Sequence, residues 1–302
     1  MSTTTSRTRV TRGGTTRAVA QKRVFGFLRW FVIVVMTIVT LFPFYYMIEL
    51  SFVPIQDLLV DPTRLWVPIH DFTLKTYQDV LKSTSQGGQG FAGFMVNSAL
   101  VATATAVVTI VLAIPSSYAI ARLKFFGYRQ VSTVFLIVYM FPVIIIAIPL
   151  FVGFSALGIR ESLVGLTIVY IAQTIPVSVH MLRSYLKTIP VSIEEAAMMD
   201  GASRSRILTQ ITLPLAMPTI VSTALYVFMI AWIEFLFALL FLTADRNLWT
   251  VSLGLSQLSN GIEVSKTVLM AGSVLLTVPI IVLYGLTERA LSEGLTSGAD
   301  KG

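Results

Sequence analysis

Residues 94–121 read FMVNSALVATATAVVTIVLAIPSSYAIA, without one Asp, Glu, Lys or Arg. A helix of that length rises about 42 Å at 1.5 Å per residue, enough to cross the roughly 30 Å hydrocarbon core of a bilayer. Five more runs of this kind lie at 30–51, 131–151, 163–182, 217–243 and 267–286. None contains Lys or Arg, and only Glu49 and Glu234 are acidic. A charge at the centre of a span costs about 2.5–3.5 kcal/mol on insertion scales, so its near-absence supports these boundaries. The rest of the composition agrees. Of the 302 residues, 55% are hydrophobic and 12% charged, half the charge a soluble domain carries. That excludes an ordinary soluble enzyme and a disordered chain. The reading is an all-α membrane protein with six transmembrane helices.

All 22 Lys and Arg therefore fall in the seven connecting segments. Alternate segments hold 16 and 6, and the positive-inside rule places the richer set in the cytoplasm. Both termini are then cytoplasmic, and the loop 52–93, with its Gly87-Gly88-Gln89-Gly90 stretch, is external. The net charge of +7 reflects this asymmetry and calls for no nucleic acid. Residues 1–29 are basic, rich in Ser and Thr and free of acids. They suit a mitochondrial transit peptide in composition, but read more simply as a disordered cytoplasmic tail, not a cleaved signal. Residues 287–302 form a cytoplasmic C-terminal tail, and 30–286 the six-span transmembrane domain. Prolines 43, 115, 142, 149, 176, 218 and 279 sit in or at the ends of spans, where neighbouring helices satisfy the freed carbonyls.

Much chemistry is absent. No phosphate-binding Gly-x-x-x-x-Gly-Lys-Ser/Thr loop occurs, nor His-Glu-x-x-His, nor Gly-x-Ser-x-Gly. Cysteine is missing, and His70 and His180 cannot form a metal cluster. No catalytic residue, metal site or bound cofactor is expected in this chain. Function must lie in a path or a surface.

One connecting segment stands out. Residues 190–214 read PVSIEEAAMMDGASRSRILTQITLP. Ser192 with Glu195 three positions on predicts a capping box at a helix start. Glu194 and Glu195 in the first turn suit the positive end of the dipole. Gly201 suits a left-handed C-cap. A second helix then runs toward Pro214. A short helix-turn-helix of this kind fits a cleft in another protein, or lies on lipid as an interfacial helix; physics alone leaves both open.

The spacing Glu195-Ala196-Ala197, three residues, Gly201, nine residues, Ile211, one residue, Leu213-Pro214 resembles the EAA loop of ABC importer permeases. Other stretches resemble the carbohydrate-uptake branch, and within it the second permease subunit of maltose-type importers. They are Asn97-Ser98, Tyr118 to Lys124, Phe141-Pro142 with Pro149-Leu150-Phe151, Trp232 with Glu234, and the tail Gly294 to Gly302. The resemblance covers roughly 30–302 and implies the type I importer architecture. It implies a sister permease, two ATPase subunits that bind the ATP and Mg, an extracytoplasmic solute-binding protein and a sugar substrate. Glu195, Ala196, Ala197, Met198, Asp200, Gly201 and Ala202 would dock the ATPase. Thr296 and Gly298 would contact it from the tail. Ser259, Asn260 and Gly261, an Asn-Gly turn, would reach the binding protein. Ile233 departs from the pattern, since many relatives have Asn there.

Sugar sites combine aromatic faces with hydrogen-bonding side chains. Candidates for the translocation path are Asn97, Gln173, Tyr226, Trp232 and Glu234. Tyr139 and Tyr170 read better as satisfied polar groups between helices. Glu49 reads as an interfacial residue near the outer end of its span. The alternative function is a proton-coupled secondary transporter using Glu234, or Glu49; it would require inverted repeats, which the sequence lacks. A membrane enzyme lacks any constellation of reactive residues.

Overall fold

The computed structural model describes residues 14–54, 66–123, 125–260 and 266–299. Among these residues, all regular structure is helical. In chain order the α-helices are α1 Gly14–Ser51, α2 Lys75–Leu81, α3 Phe91–Arg122, α4 Tyr128–Met140, α5 Val143–Ala156 and α6 Leu163–Leu186. Then come α7 Val191–Met199, α8 Arg204–Ile207, α9 Leu213–Ile233, α10 Leu236–Leu242, α11 Val251–Asn260 and α12 Lys266–Ala299. A π-helical turn, Leu208–Thr212, joins α8 to α9.

Among the described residues, five helical stretches are long and apolar enough to cross a membrane: Gln21–Ser51, Phe91–Arg122, Leu163–Leu186, Arg204–Ile233 and Lys266–Thr287. The run 131–151 is not one unbroken helix. It divides at Phe141–Pro142 into α4 and α5. Proline lacks an amide proton and pushes the preceding residue out of the helical region, and Phe141 is extended at φ −75°, ψ 129°. The run 217–243 also breaks. There α9 ends at Glu234, which is extended at φ −62°, ψ 134°, and α10 begins at Leu236. Prolines 43, 115, 149, 176, 218 and 279 all remain inside helices.

The terminal segments are more helical than the sequence reading has them. The 1–29 tail, read as disordered, is helical from Gly14 onward and continuous with the first span. The last helix runs past 286 to Ala299. The connecting segments carry structure too. Glu49, near the outer end of α1, is 4% exposed, and its carboxylate accepts the amide of Val67, pinning the loop end to α1. The Ser51 and Tyr77 hydroxyls meet at 2.7 Å, tying α2 to the same place.

The core is built around α3 and α6. On α3 the buried positions Val101, Ala102, Thr105, Ala106, Thr109 and Ala113 are mostly small, which lets the two backbones approach closely. Across from them lie Thr174 and Ser178, and the Thr109 and Thr174 hydroxyls are 3.0 Å apart. Phe91, Phe94, Leu166, Tyr170, Trp232, Phe237 and Phe241 complete the main cluster. The spanning part of α1 stands outside this core, its apolar side chains exposed, as suits a helix facing lipid or another membrane chain.

Candidate functional site

The segment 190–214 folds as a short helix, a left-handed stop and a return into α9. Its start differs from the capping box. Pro190 occupies the N-cap position and α7 begins at Val191, so Ser192 lies inside the helix and makes no capping bond. Proline supplies a helix-compatible φ and has no amide to leave unpaired, so it starts the helix ahead of the serine. The stop is as expected. Gly201 has φ +82°. The amides of Gly201 and Ala202 donate to the carbonyls of Met198 and Ala197, both at 3.0 Å, the paired bonds of a Schellman cap.

The two adjacent acids of α7 face different ways. Glu194 is 4% exposed. Its Oε1 accepts from Arg122 Nε at 2.9 Å and from the Thr212 hydroxyl at 3.3 Å. Its Oε2 accepts from the Tyr118 hydroxyl at 3.2 Å. Arg122 also donates to the Ile189 carbonyl at 2.8 Å. One carboxylate thus joins the end of α3, the start of α7 and the π-turn before α9. Glu195 points outward. With Ala196, Met198, Asp200 and Gly201 it forms an exposed face, flanked by half-buried Ala197 and Ala202. Met199, at 88% exposure, extends that face. Every residue read as ATPase-docking lies on it or at its margin. Glu194 was not singled out by the sequence reading. The signal was present in two neighbouring acids, which a helix turns about 100° apart, and in Arg122, a lone cation at the end of a span.

The path candidates separate. Gln173 and Tyr226 line one cavity of about 320 Å³, bounded by α4, α5, α6, α9 and α10. Asn97 does not join them. Its amide donates to the carbonyls of Asn247 at 2.7 Å and Trp249 at 3.0 Å, holding the 244–250 segment against the start of α3. Trp232 is 3% exposed, stacks on Phe228 at 5.7 Å and donates from Nε1 to the Leu276 carbonyl at 3.0 Å. It is a packing residue between α9 and α12. The side chain of Tyr139 lies outside the described residues.

Glu234 caps a helix. It accepts from the Phe237 amide at 3.0 and 3.2 Å, from the Ala238 amide at 3.4 Å and from the Tyr170 hydroxyl at 2.5 Å. Its own carbonyl accepts from the Ser252 hydroxyl. This is why α9 stops without a glycine or proline: the carboxylate takes the first amides of α10. Tyr170, fully buried, is the satisfied polar group its position suggested. A carboxylate so engaged gives no support to a proton carrier. Replacing Glu234 by Ala leaves two amides of α10 without their acceptor and is expected to cost about 1–2 kcal/mol. Tyr170→Phe removes a single bond and should cost less. Thermal unfolding of the purified protein in detergent checks that order.

The remaining candidates lie at the ends of helices. Ser259 and Asn260 are the last residues of α11, so they continue a helix rather than make a turn, and Gly261 lies outside the described residues. The backbone at Thr296 and Gly298 belongs to the end of α12.

The family of binding-protein-dependent transport system inner membrane components matches residues 110–296, which hold the Glu194 clamp, the exposed face of α7 and the cavity. The chain belongs to this family. As a permease it has related proteins across its length. It is 39% identical over 266 residues to the inner membrane ABC transporter permease protein YcjP of Escherichia coli, covering 88% of this chain and 92% of that protein. It is 37% identical over 273 residues to the trehalose/maltose transport system permease protein MalG of Thermococcus litoralis, covering 89% and 94%. In fold it is similar to a chain of a bacterial ABC transporter that imports the acidic polysaccharide alginate, with a TM-score of 0.76 at 21% identity, covering 89% and 97%. The architecture is that of a type I ABC importer permease. The protein is a membrane component and not the ATPase, and the EAA motif on α7 is general to the family.

Proposed function

We propose that this permease forms half of the translocation path of an ATP-driven sugar importer, with a di- or oligosaccharide as cargo. The carrying observation is the exposed Glu195 face of α7, held by Glu194 to two membrane helices. A surface meant to transmit force needs a rigid attachment behind it. Membership of the family supports a separate ATPase and an extracytoplasmic binding protein as partners. The sugar class rests on relatives named for trehalose and maltose, and for diacetylchitobiose in the permease protein DasC of Streptomyces coelicolor. In this reading a sister permease closes the path and two ATPase subunits bind ATP and Mg below α7. Thr296 and Gly298 contact the ATPase, and Ser259, Asn260 and Gly261 approach the binding protein.

Glu195→Lys tests the docking. Charge reversal on the exposed face should weaken ATPase binding by an order of magnitude or more while leaving the Glu194 clamp intact. Co-purification of the ATPase at equal permease expression is the measurement; full recovery with the variant defeats the reading. Orientation follows the Lys/Arg asymmetry, so both termini are cytoplasmic and 52–93 external. The chain has no cysteine, and Ser85 is exposed, so Ser85→Cys gives a clean label site. An impermeant maleimide should label it from outside in intact spheroplasts; labelling only after lysis reverses the topology.

A further inference from the structure

The cavity lies where two helices are interrupted. Phe141, the extended residue between α4 and α5, lines it, and so does Phe237 in the first turn of α10, just past the break at Glu234. Membrane transporters place cargo beside such interruptions, because unwound backbone is tolerated only where it is buried in protein or borders a cavity. Between the breaks runs α6, which presents Gln173. Its Oε1 is buried and accepts no hydrogen bond among the described residues. A buried amide oxygen left so is costly, and a ligand donor would relieve that cost. Tyr226 on α9 adds an aromatic face. Val169 and Ile230 are among the apolar residues that complete the wall, and no lining residue is charged.

We infer that this cavity is a cargo subsite within this subunit, seating one ring of a neutral saccharide. A pyranose has an apolar C–H face and a hydroxyl edge. The face meets Tyr226 and the aliphatic wall, and a hydroxyl donates to Gln173. An anionic sugar would enter a space with no cation to pair it and is disfavoured. A volume of about 320 Å³ is at the lower end for small-molecule sites and suits a single ring rather than a whole oligosaccharide. Gln173 and Tyr226 are then the residues that set specificity on this side of the path. The inference rests on the sugar-importer reading above and deepens it.

The test uses the complete importer in proteoliposomes with its loaded binding protein, and radiolabelled maltose and trehalose as probes. Sugar moved and ATP hydrolysed are measured together. Gln173→Leu and Tyr226→Ala should each lower the sugar moved per ATP by about three- to tenfold. Stimulation of ATP hydrolysis by the loaded binding protein should stay at the wild-type level. Gln173→Asn, which keeps an amide, should recover part of the loss. Unchanged sugar per ATP in both variants overturns the subsite. So does loss of the sister permease from the purified complex, which would make the cavity wall a subunit contact. A wild-type importer that moves no neutral di- or oligosaccharide, maltose and trehalose included, defeats the sugar-importer reading itself, and the subsite with it.

Discussion

Replacing Glu194 by Ala is expected to detach α7 from the membrane helices and to abolish transport. The carboxylate is 5% exposed and takes three hydrogen bonds, one of them from a guanidinium that is 7% exposed. Removing it leaves Arg122 buried, with the Ile189 carbonyl as its remaining acceptor. Breaking one side of a buried ion pair typically costs 3–5 kcal/mol, most of it from the stranded charge. Arg122 cannot shed its proton, so the structure must open to hydrate it. Opening here means separating α7 from the end of α3. Cleavage by trypsin at Lys187, Arg204 and Arg206 should therefore speed up, and the ATPase should no longer co-purify. A double variant, Glu194→Leu with Arg122→Leu, strands no charge and should resist proteolysis better than either single change. It should still transport poorly, because the directional bonds to Tyr118 and Thr212 are gone. Normal assembly and uptake by Glu194→Ala would show that the clamp does not position α7.

The contrast between Glu194 and Glu195 shows what the sequence made legible. The apolar runs, the lack of cations within them and the spacing from Glu195 through Gly201 to Pro214 are local patterns, and local patterns dictated the spans and the exposed helix. Which of two adjacent acids turns inward depends on Arg122, 72 positions earlier, and no periodicity reports that. The same limit applies to the path residues. Asn97, Gln173, Tyr226, Trp232 and Glu234 are all polar or aromatic groups in apolar runs. In a membrane such groups either bond a neighbouring helix or face a cavity, and the sequence is symmetric between the two. The structure separates them by what each one touches. Of the two helix breaks, the one at Phe141–Pro142 carries its proline openly. The one at Glu234 has neither Gly nor Pro nearby. It arises because a carboxylate competes for the backbone amides of the next turn, a tendency familiar for Asp and Asn at helix starts but weakly signalled by a lone Glu in an apolar run.

Gly201→Asp is expected to leave the protein inserted and folded while uncoupling it from the ATPase. Gly201 has φ +82°, so a side chain there strains the backbone, by roughly 1–2 kcal/mol for Ala and less for Asn or Asp. A Cβ there meets nothing within 4 Å among the described residues. The loss on folding is thus confined to backbone strain, and the Glu194 clamp two turns back is untouched. The docked face is different. Gly201 is exposed beside Asp200, on the same exposed face as Glu195, so Asp adds a third negative charge and a side chain where glycine allows close approach. It also places an anion at the negative end of α7. A graded series separates the two effects. Asn tolerates the left-handed conformation, so Gly201→Asn should restore most of the thermal stability lost in Gly201→Ala. If docking is governed by space and charge, Gly201→Asn should still weaken ATPase co-purification, and Gly201→Asp should weaken it most. Uptake should fall in the same order, with Ala the mildest of the three. If uptake instead follows thermal stability, with Asn nearest wild type and Ala the most impaired, Gly201 matters only as a helix stop, and the exposed end of α7 makes no close contact with its partner.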